Sequence, residues 1–254
     1  MSDLGAQTWP EAASVLHERT VALLPIGSTE PHGPHLALDT DVTIAQAQAR
    51  RAAGKLQSLG VTAVVLPAMP YGLTRYTDGF AGTISLQPGT LWACLEDIVI
   101  ALEQQGVRQV VFSNAHLEPA HVKILRGVAG DHPARGPYKA QVLFPDNTRR
   151  RWAQTLGEEF QSGDCHAGRY ESSLVLAAEP SHVREAERAQ LAPLRIGLIE
   201  KMAAGVTSFR AAGADRAYCG DPARASASEG QALLESLADM LVISVRETWP
   251  DLFP

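Results

Sequence analysis

Apolar residues in this chain come in short runs separated by amphipathic stretches, and that alternation predicts an α/β protein. Val21-Ala-Leu-Leu-Pro-Ile26 is continuously apolar and stops at Gly27-Ser28, the pattern of a buried strand that feeds a loop. Residues 41 to 59 are rich in Ala, Gln and Arg and read as a helix. Val61 to Leu66 is a second, β-branched strand halted by Pro67. A short strand is expected over Thr83 to Leu86, then a helix from Gly89 to Gln105 with Gly106 as its cap. Val107 to Phe112 and Ala140 to Phe144 read as two further strands. Between them a helix covers Pro119 to Val128, its proline suited to a first turn. Helices over Ser172 to Ala178 and Gly230 to Glu247 follow, the second with Leu233, Leu234, Leu237, Leu241 and Val245 on one stripe. Residues 180 to 225 are too weakly periodic to delimit elements. No repeat or linker divides the 254 residues, so one domain over 1–254 is expected.

Charge narrows the partners. A formal net charge of -6 argues against nucleic acid, which wants a basic face. The dense basic cluster Arg149-Arg150-Arg151 reads as solvated helix surface. Cys94, Cys165 and Cys219 are widely spaced and odd in number, which fits a reducing cytoplasm better than a disulfide framework. No apolar run approaches the roughly 20 residues of a membrane span. The first residues carry acids and lack a secretory pattern. The expectation is a cytoplasmic protein without nucleic-acid or membrane partners.

The chemistry-bearing residues fall in three clusters. The first follows the first strand: Glu30-Pro-His32-Gly-Pro-His35-Leu-Ala-Leu-Asp39-Thr-Asp41. Ligand sites in open α/β sheets gather beyond the carboxyl ends of strands. Glu, His and Asp are ligands suited to Zn²⁺ or Mn²⁺; the alternative is a polar loop capping the next helix. The second cluster, Ser113-Asn114-Ala-His116-Leu-Glu118, repeats the arrangement at another strand end. The third, Asp164-Cys165-His166-Ala-Gly-Arg169-Tyr170-Glu171, opens a helix. There His166 is a candidate acid or base, and Glu171 either orients it or is an acid favoured by the helix dipole. No feature of Cys165 shows an activated nucleophile.

In this order and spacing the clusters resemble the creatininase family of amidohydrolases. The resemblance is carried by Gly27-Ser28-Thr-Glu30-Pro-His32-Gly33-Pro-His35-Leu36 through Asp41, by Tyr71-Gly72 and Phe80-Ala81-Gly82-Thr83, by Asn114-Ala-His116-Leu-Glu118, and by His166-Ala167-Gly168-Arg-Tyr-Glu171-Ser172-Ser173. It covers roughly residues 20 to 180. It implies a creatininase-like three-layer α/β/α sandwich with a mostly parallel central sheet. It also implies two divalent metal ions per chain, Zn²⁺, Mn²⁺ or Fe²⁺. Glu30, Asp41 and His116 would bind one, and His32, Asp41 and Glu118 the other, with a water activated between them attacking an amide carbonyl. His166 and Glu118 are then the catalytic candidates, and Thr74, Leu117, Arg169 and Glu171 the candidate substrate contacts. The family further implies a homo-oligomer, commonly a hexamer.

Departures from the family pattern bear on the substrate. Thr74 and Tyr76-Thr77 stand where the family carries Ser and then Glu-His, and Ala37 and Ala81 replace prolines. Gln161-Ser-Gly-Asp164 stands where creatinine hydrolases place ring-enclosing tryptophans; Trp152 lies upstream, where it reads as a core or surface anchor or else reaches the site. Creatinine is therefore not the expected substrate. A small amide, cyclic amide or formamide comes first, a short peptide second, and a non-catalytic ligand-binding member third. Arg75, Arg169 and Tyr170 suggest a substrate with a carboxylate or phosphate.

Overall fold

In β1 (Val21–Ile26) every residue is buried, and its side chains divide between two cores. Val21 and Leu23 join one apolar cluster, while Ala22, Leu24 and Ile26 join another. A strand apolar on both sides needs cover on both, which the computed structural model of residues 3–132, 136–137 and 139–254 supplies. The other strands are β2 (Ala63–Val65), β3 (Gln109–Asn114) and β4 (Gln141–Leu143). The helices, in chain order, are α1 (Trp9–Val15), α2 (Thr40–Ser58), α3 (Pro88–Gln104), α4 (Pro119–Asp131), α5 (Arg150–Ala153), α6 (Gly157–Ser162), α7 (Arg169–Ala178), α8 (Glu185–Arg188), α9 (Leu198–Ala203) and α10 (Ala227–Thr248).

The sheet has order β2-β1-β3-β4 and all its pairings are parallel. One core holds Val21, Leu23 and Val111 against Ile44, Leu56, Leu174, Leu237 and Leu241, contributed by α2, α7 and α10. The other holds Leu24, Val110 and Phe112 against Leu91, Leu95, Val99 and Leu125, contributed by α3 and α4. The result is the three-layer α/β/α sandwich. A third, smaller cluster of Leu198, Phe209, Ala212, Ala214 and Cys219 lies in the stretch whose periodicity was uninformative.

The elements differ from expectation in several places. Thr83 to Leu86 forms no strand in the sheet; Ile84 makes a single antiparallel bridge to Thr29. Hydrogen bonds there are spent inside the surrounding loop instead. Thr83 Oγ1 donates to the Thr77 carbonyl, and Ser85 Oγ accepts from the Thr74 N–H. The added helix α1 starts at a capping box of Thr8 and Glu11 with Pro10 inside its first turn. Among the described residues no helix is long and apolar enough to cross a membrane.

The register Ile26↔Asn114 sets the ends of the two central strands side by side, so the loops that follow them share one space. Gly27 lets the first loop double back on α2: a Cβ there would lie 2.6 Å from the Val42 nitrogen and 2.8 Å from Asp41 Cβ. That close approach brings Asp41, in the first turn of α2, beneath Glu30 and His32.

Candidate metal centre

Asp41 is the hub. Its Oδ1 lies 3.2 Å from His32 Nε2 and its Oδ2 lies 3.0 Å from His116 Nδ1. Glu30 Oε1 is 3.2 Å from the same His116 nitrogen and 3.8 Å from His32 Nε2. Glu171 Oε2, from the first turn of α7, stands 3.5 Å from His32 Nε2. Donor atoms converge in three groups: Glu30, Asp41 and His116; His32, Asp41 and Glu171; and Glu30, His32 and His166. Glu30, His32, Asp41, His116 and Glu171 are all buried.

Neighbouring groups preset each imidazole. His116 Nε2 donates to the Leu73 carbonyl at 2.6 Å, and His32 Nδ1 to the Glu30 carbonyl at 3.1 Å. The nitrogens facing the carboxylates are thus the ones left for a ligand. Asn114 Nδ2 donates to the His116 carbonyl, and its Oδ1 accepts from His121 Nε2. Hydroxyls of Thr74 and Thr77 grip Glu30 Oε2. His166 lies in the turn before α7, where Ala167 takes a left-handed backbone at φ 50° and gives its N–H to Glu171 Oε2 at 2.6 Å. His166 Nε2 donates to the Pro31 carbonyl at 3.0 Å, turning Nδ1 towards Glu30 Oε1, 4.0 Å away.

These residues fit a divalent cation. Three carboxylates and two imidazoles share a buried space, and His32 Nε2 and Asp41 Oδ2 have no hydrogen-bond partner there. Without an ion the cluster borrows protons. Burial alone would lower His32, but the Asp41, Glu171 and Glu30 carboxylates lift it to about 10. Burial opposes ionisation of Glu30 and Asp41, yet the imidazoles win; Glu30 falls to about 2 and Asp41 well below its usual range. Burial pushes Glu171 up to about 8, only partly offset by His32. His166, buried beside a protonated His32, is pushed down to about 4.

The clusters seen in sequence meet here, with changes. Glu118 belongs to none of the three donor groups. Its Oε2 instead accepts the N–H groups of Arg75 and Tyr76 at 2.7 and 3.1 Å, because the loop after Gly72 folds over it. Glu171, expected near the substrate, lines the cavity and also occupies the position facing His32. Thr74 is fully buried and spent on Glu30, not presented to a substrate. Leu117 does line the cavity above the cluster, with Glu118, His166, Phe160, Leu198 and Met202; its volume is about 360 Å³.

Arg169 is not in that cavity. It is a residue of α7 that turns away from the cluster to pair with Glu229 of α10 at 2.6 Å, and the Arg75 side chain lies 3.7 Å from Asp78 in solvent. No Lys or Arg lines the cavity among the described residues, so no guanidinium there would receive a carboxylate or phosphate. Arg169→Ala should leave kcat/KM within about twofold and cost at most about 1 kcal/mol of stability, as befits a partly exposed ion pair. Parallel kinetics and denaturant unfolding check this, and a large kinetic loss would restore Arg169 to the site. Trp152 also stands outside the cavity, under the Arg151 guanidinium at 4.3 Å. Arg149 and Arg151 pair with Asp146 and Glu247.

Sequence reasoning assigned no site role to Leu73, Thr77, His121 or Phe209. A backbone carbonyl such as that of Leu73 leaves no trace in side-chain pattern, and Phe209 lies in the stretch without periodicity.

The mycofactocin precursor peptide peptidase of Mycobacterium tuberculosis is 32% identical over 241 residues, covering 90% of this chain and 85% of the relative. The creatinine amidohydrolase of Pseudomonas putida is 29% identical over 206 residues, 71% of this chain and 73% of the relative. A solved creatinine amidohydrolase (creatininase) superposes with a TM-score of 0.76 at 24% identity, over 98% of each chain. The creatinine amidohydrolase family profile matches residues 5–245. The chain belongs to the creatininase family.

Proposed function

We propose that this protein is a metal-dependent hydrolase that cleaves a C–N amide bond, using two divalent ions per chain held around Asp41. The observation that carries this is the shared carboxylate: one buried Asp41 oxygen faces His116 and the other faces His32. Glu30, Asp41 and His116 would hold one ion, and His32, Asp41 and Glu171 the other. Zn²⁺, Mn²⁺ and Fe²⁺ all accept such ligands. Ions so placed would lower the pKa of a water towards neutrality and polarise a carbonyl oxygen.

The chain's own groups do the rest. Glu118 lines the cavity with Oε2 anchored by two N–H groups, which leaves Oε1 for proton transfer. Burial raises its pKa, towards the range useful for general acid–base work near neutrality. It would take the proton of the attacking water and deliver it to the leaving nitrogen. His166, neutral and committed to Pro31 through Nε2, would accept the amide N–H at Nδ1 and so orient the bond.

The walls select the substrate. Phe160, Leu198, Ile199, Met202 and Phe209 make the cavity largely apolar. At about 360 Å³ it takes one or two residues, not an extended chain. We infer an amide bearing an uncharged apolar group, at the end of a short peptide; the relative named as a peptide peptidase supports that class. The modest volume favours a second reading, a small cyclic amide or formamide. The test is a screen of short blocked peptides with apolar or acidic ends, lactams and formamides, with Zn²⁺ or Mn²⁺ supplied. Turnover confined to apolar members and abolished by chelation is the expected result. Equal activity after chelation, or none anywhere on the panel, would sink the reading.

A further inference from the structure

We propose that Phe209 is a positioning residue whose ring fixes the plane of His166 and keeps Nδ1 aimed at the cluster. This rests on the reading above only in giving His166 contact with the amide.

Phe209 is stacked on His166, ring centroids 4.3 Å apart and planes 21° apart. His32 lies 4.4 Å from the same imidazole at 34°. An imidazole has two faces, and two rings at these distances and tilts take one each. The His166 ring is therefore slotted between an aromatic wall and a candidate ligand, with the Pro31 hydrogen bond fixing which edge points inward. One wall of the slot, His32, is itself held by its bond to the Glu30 carbonyl. The aromatic ring on the other face, among the described residues, is Phe209.

What holds Phe209 also holds Glu118. The Phe209 N–H donates to the Tyr76 carbonyl at 2.8 Å, and the two rings meet edge to face at 5.8 Å. The Tyr76 hydroxyl donates to the Val206 carbonyl. The Tyr76 N–H donates to Glu118 Oε2. One clasp between residue 76 and residues 206–209 thus sets both proposed catalytic groups, His166 through a flat face and Glu118 through a backbone donor. A purely space-filling phenylalanine needs neither the stacking geometry nor the tie to Tyr76.

Two substitutions separate positioning from filling. Phe209→Leu keeps an apolar side chain of similar bulk but removes the flat face; Phe209→Tyr keeps the ring. Phe209→Leu is expected to lower kcat by about tenfold to a hundredfold, the cost of a misplaced catalytic group. Bound metal should stay within about twofold of wild type, KM should change less than kcat, and Phe209→Tyr should recover most of the loss. Independently of activity, nitrogen NMR of histidine-labelled zinc protein should show His166 in the single Nε2–H tautomer in wild type. In Phe209→Leu both tautomers should appear. A Phe209→Leu kcat within twofold of wild type overturns the proposal, as do loss of metal in step with kcat, equal damage from both substitutions, or an unchanged tautomer. If the wild-type protein turns over no amide, the hydrolase reading fails and the NMR comparison alone decides the positioning role.

Discussion

Asp41→Asn is expected to leave fewer than one divalent ion per chain and to lower kcat/KM by about a thousandfold or more. The magnitude follows from the several kcal/mol that metal ions contribute to transition-state charge, at one order of magnitude per 1.4 kcal/mol. Asp41 is singled out because both donor groups that include it fail together when its charge is removed. The isosteric amide keeps the shape of the first turn of α2 and the close approach at Gly27, so the fold should survive. A neutral amide can offer one oxygen to one ion, but it cannot bridge as a carboxylate does. Elemental analysis of the purified variant, alongside circular dichroism and kinetics, reads this directly. Two ions retained in a folded Asp41→Asn protein would remove the shared-carboxylate proposal.

Much of the fold was legible because its signals are local. The continuous apolar run of β1, the proline-started helices and the leucine stripe of α10 each declare an element without reference to the rest of the chain. Thr83 to Leu86 misled because a β-branched, alternating tetrapeptide carries the same signal whether it pairs in a sheet or makes one bridge across a loop. Strand lengths were overestimated for a related reason: Val61 and Leu66 are buried by packing, yet they lie outside the β2 ladder. Of the site, Glu30, His32, Asp41 and His116 could be placed because they follow strand ends that the parallel register brings together. The proposed exchange of Glu118 and Glu171 has no such signal, because a spacing of two from His116 says nothing about which way the chain turns. Pro119 starts α4 immediately after Glu118, and the Arg75 and Tyr76 N–H groups hold that carboxylate off the cluster. The left-handed Ala167 turns α7 so that Glu171 enters it instead. Neither backbone event has a side-chain signature, and the 206–209 clasp had none either.

That exchange supplies the second large expected effect, a pair of isosteric variants that should fail in different ways. Glu171→Gln should lose one of two bound ions, because its carboxylate stands 3.5 Å from His32 Nε2 in the group that also holds Asp41. In the metal-free protein burial keeps this carboxyl protonated up to about pH 8, so an ion binding there must displace its proton as well as that of His32, and its affinity should fall more steeply as pH drops below that value. Glutamine cannot ionise, so the variant's remaining metal binding should lose that part of the pH dependence. Glu118→Gln should keep both ions, since its oxygen is spent on the N–H groups of Arg75 and Tyr76 rather than on the cluster. Its kcat should nonetheless fall by about a hundredfold to ten-thousandfold, the usual worth of a general acid–base group. Metal titration of the two proteins side by side separates ligand from proton carrier. A Glu118→Gln protein that loses an ion, beside a Glu171→Gln protein that keeps two, would return Glu118 to the ligand set and leave Glu171 to orient the turn before α7.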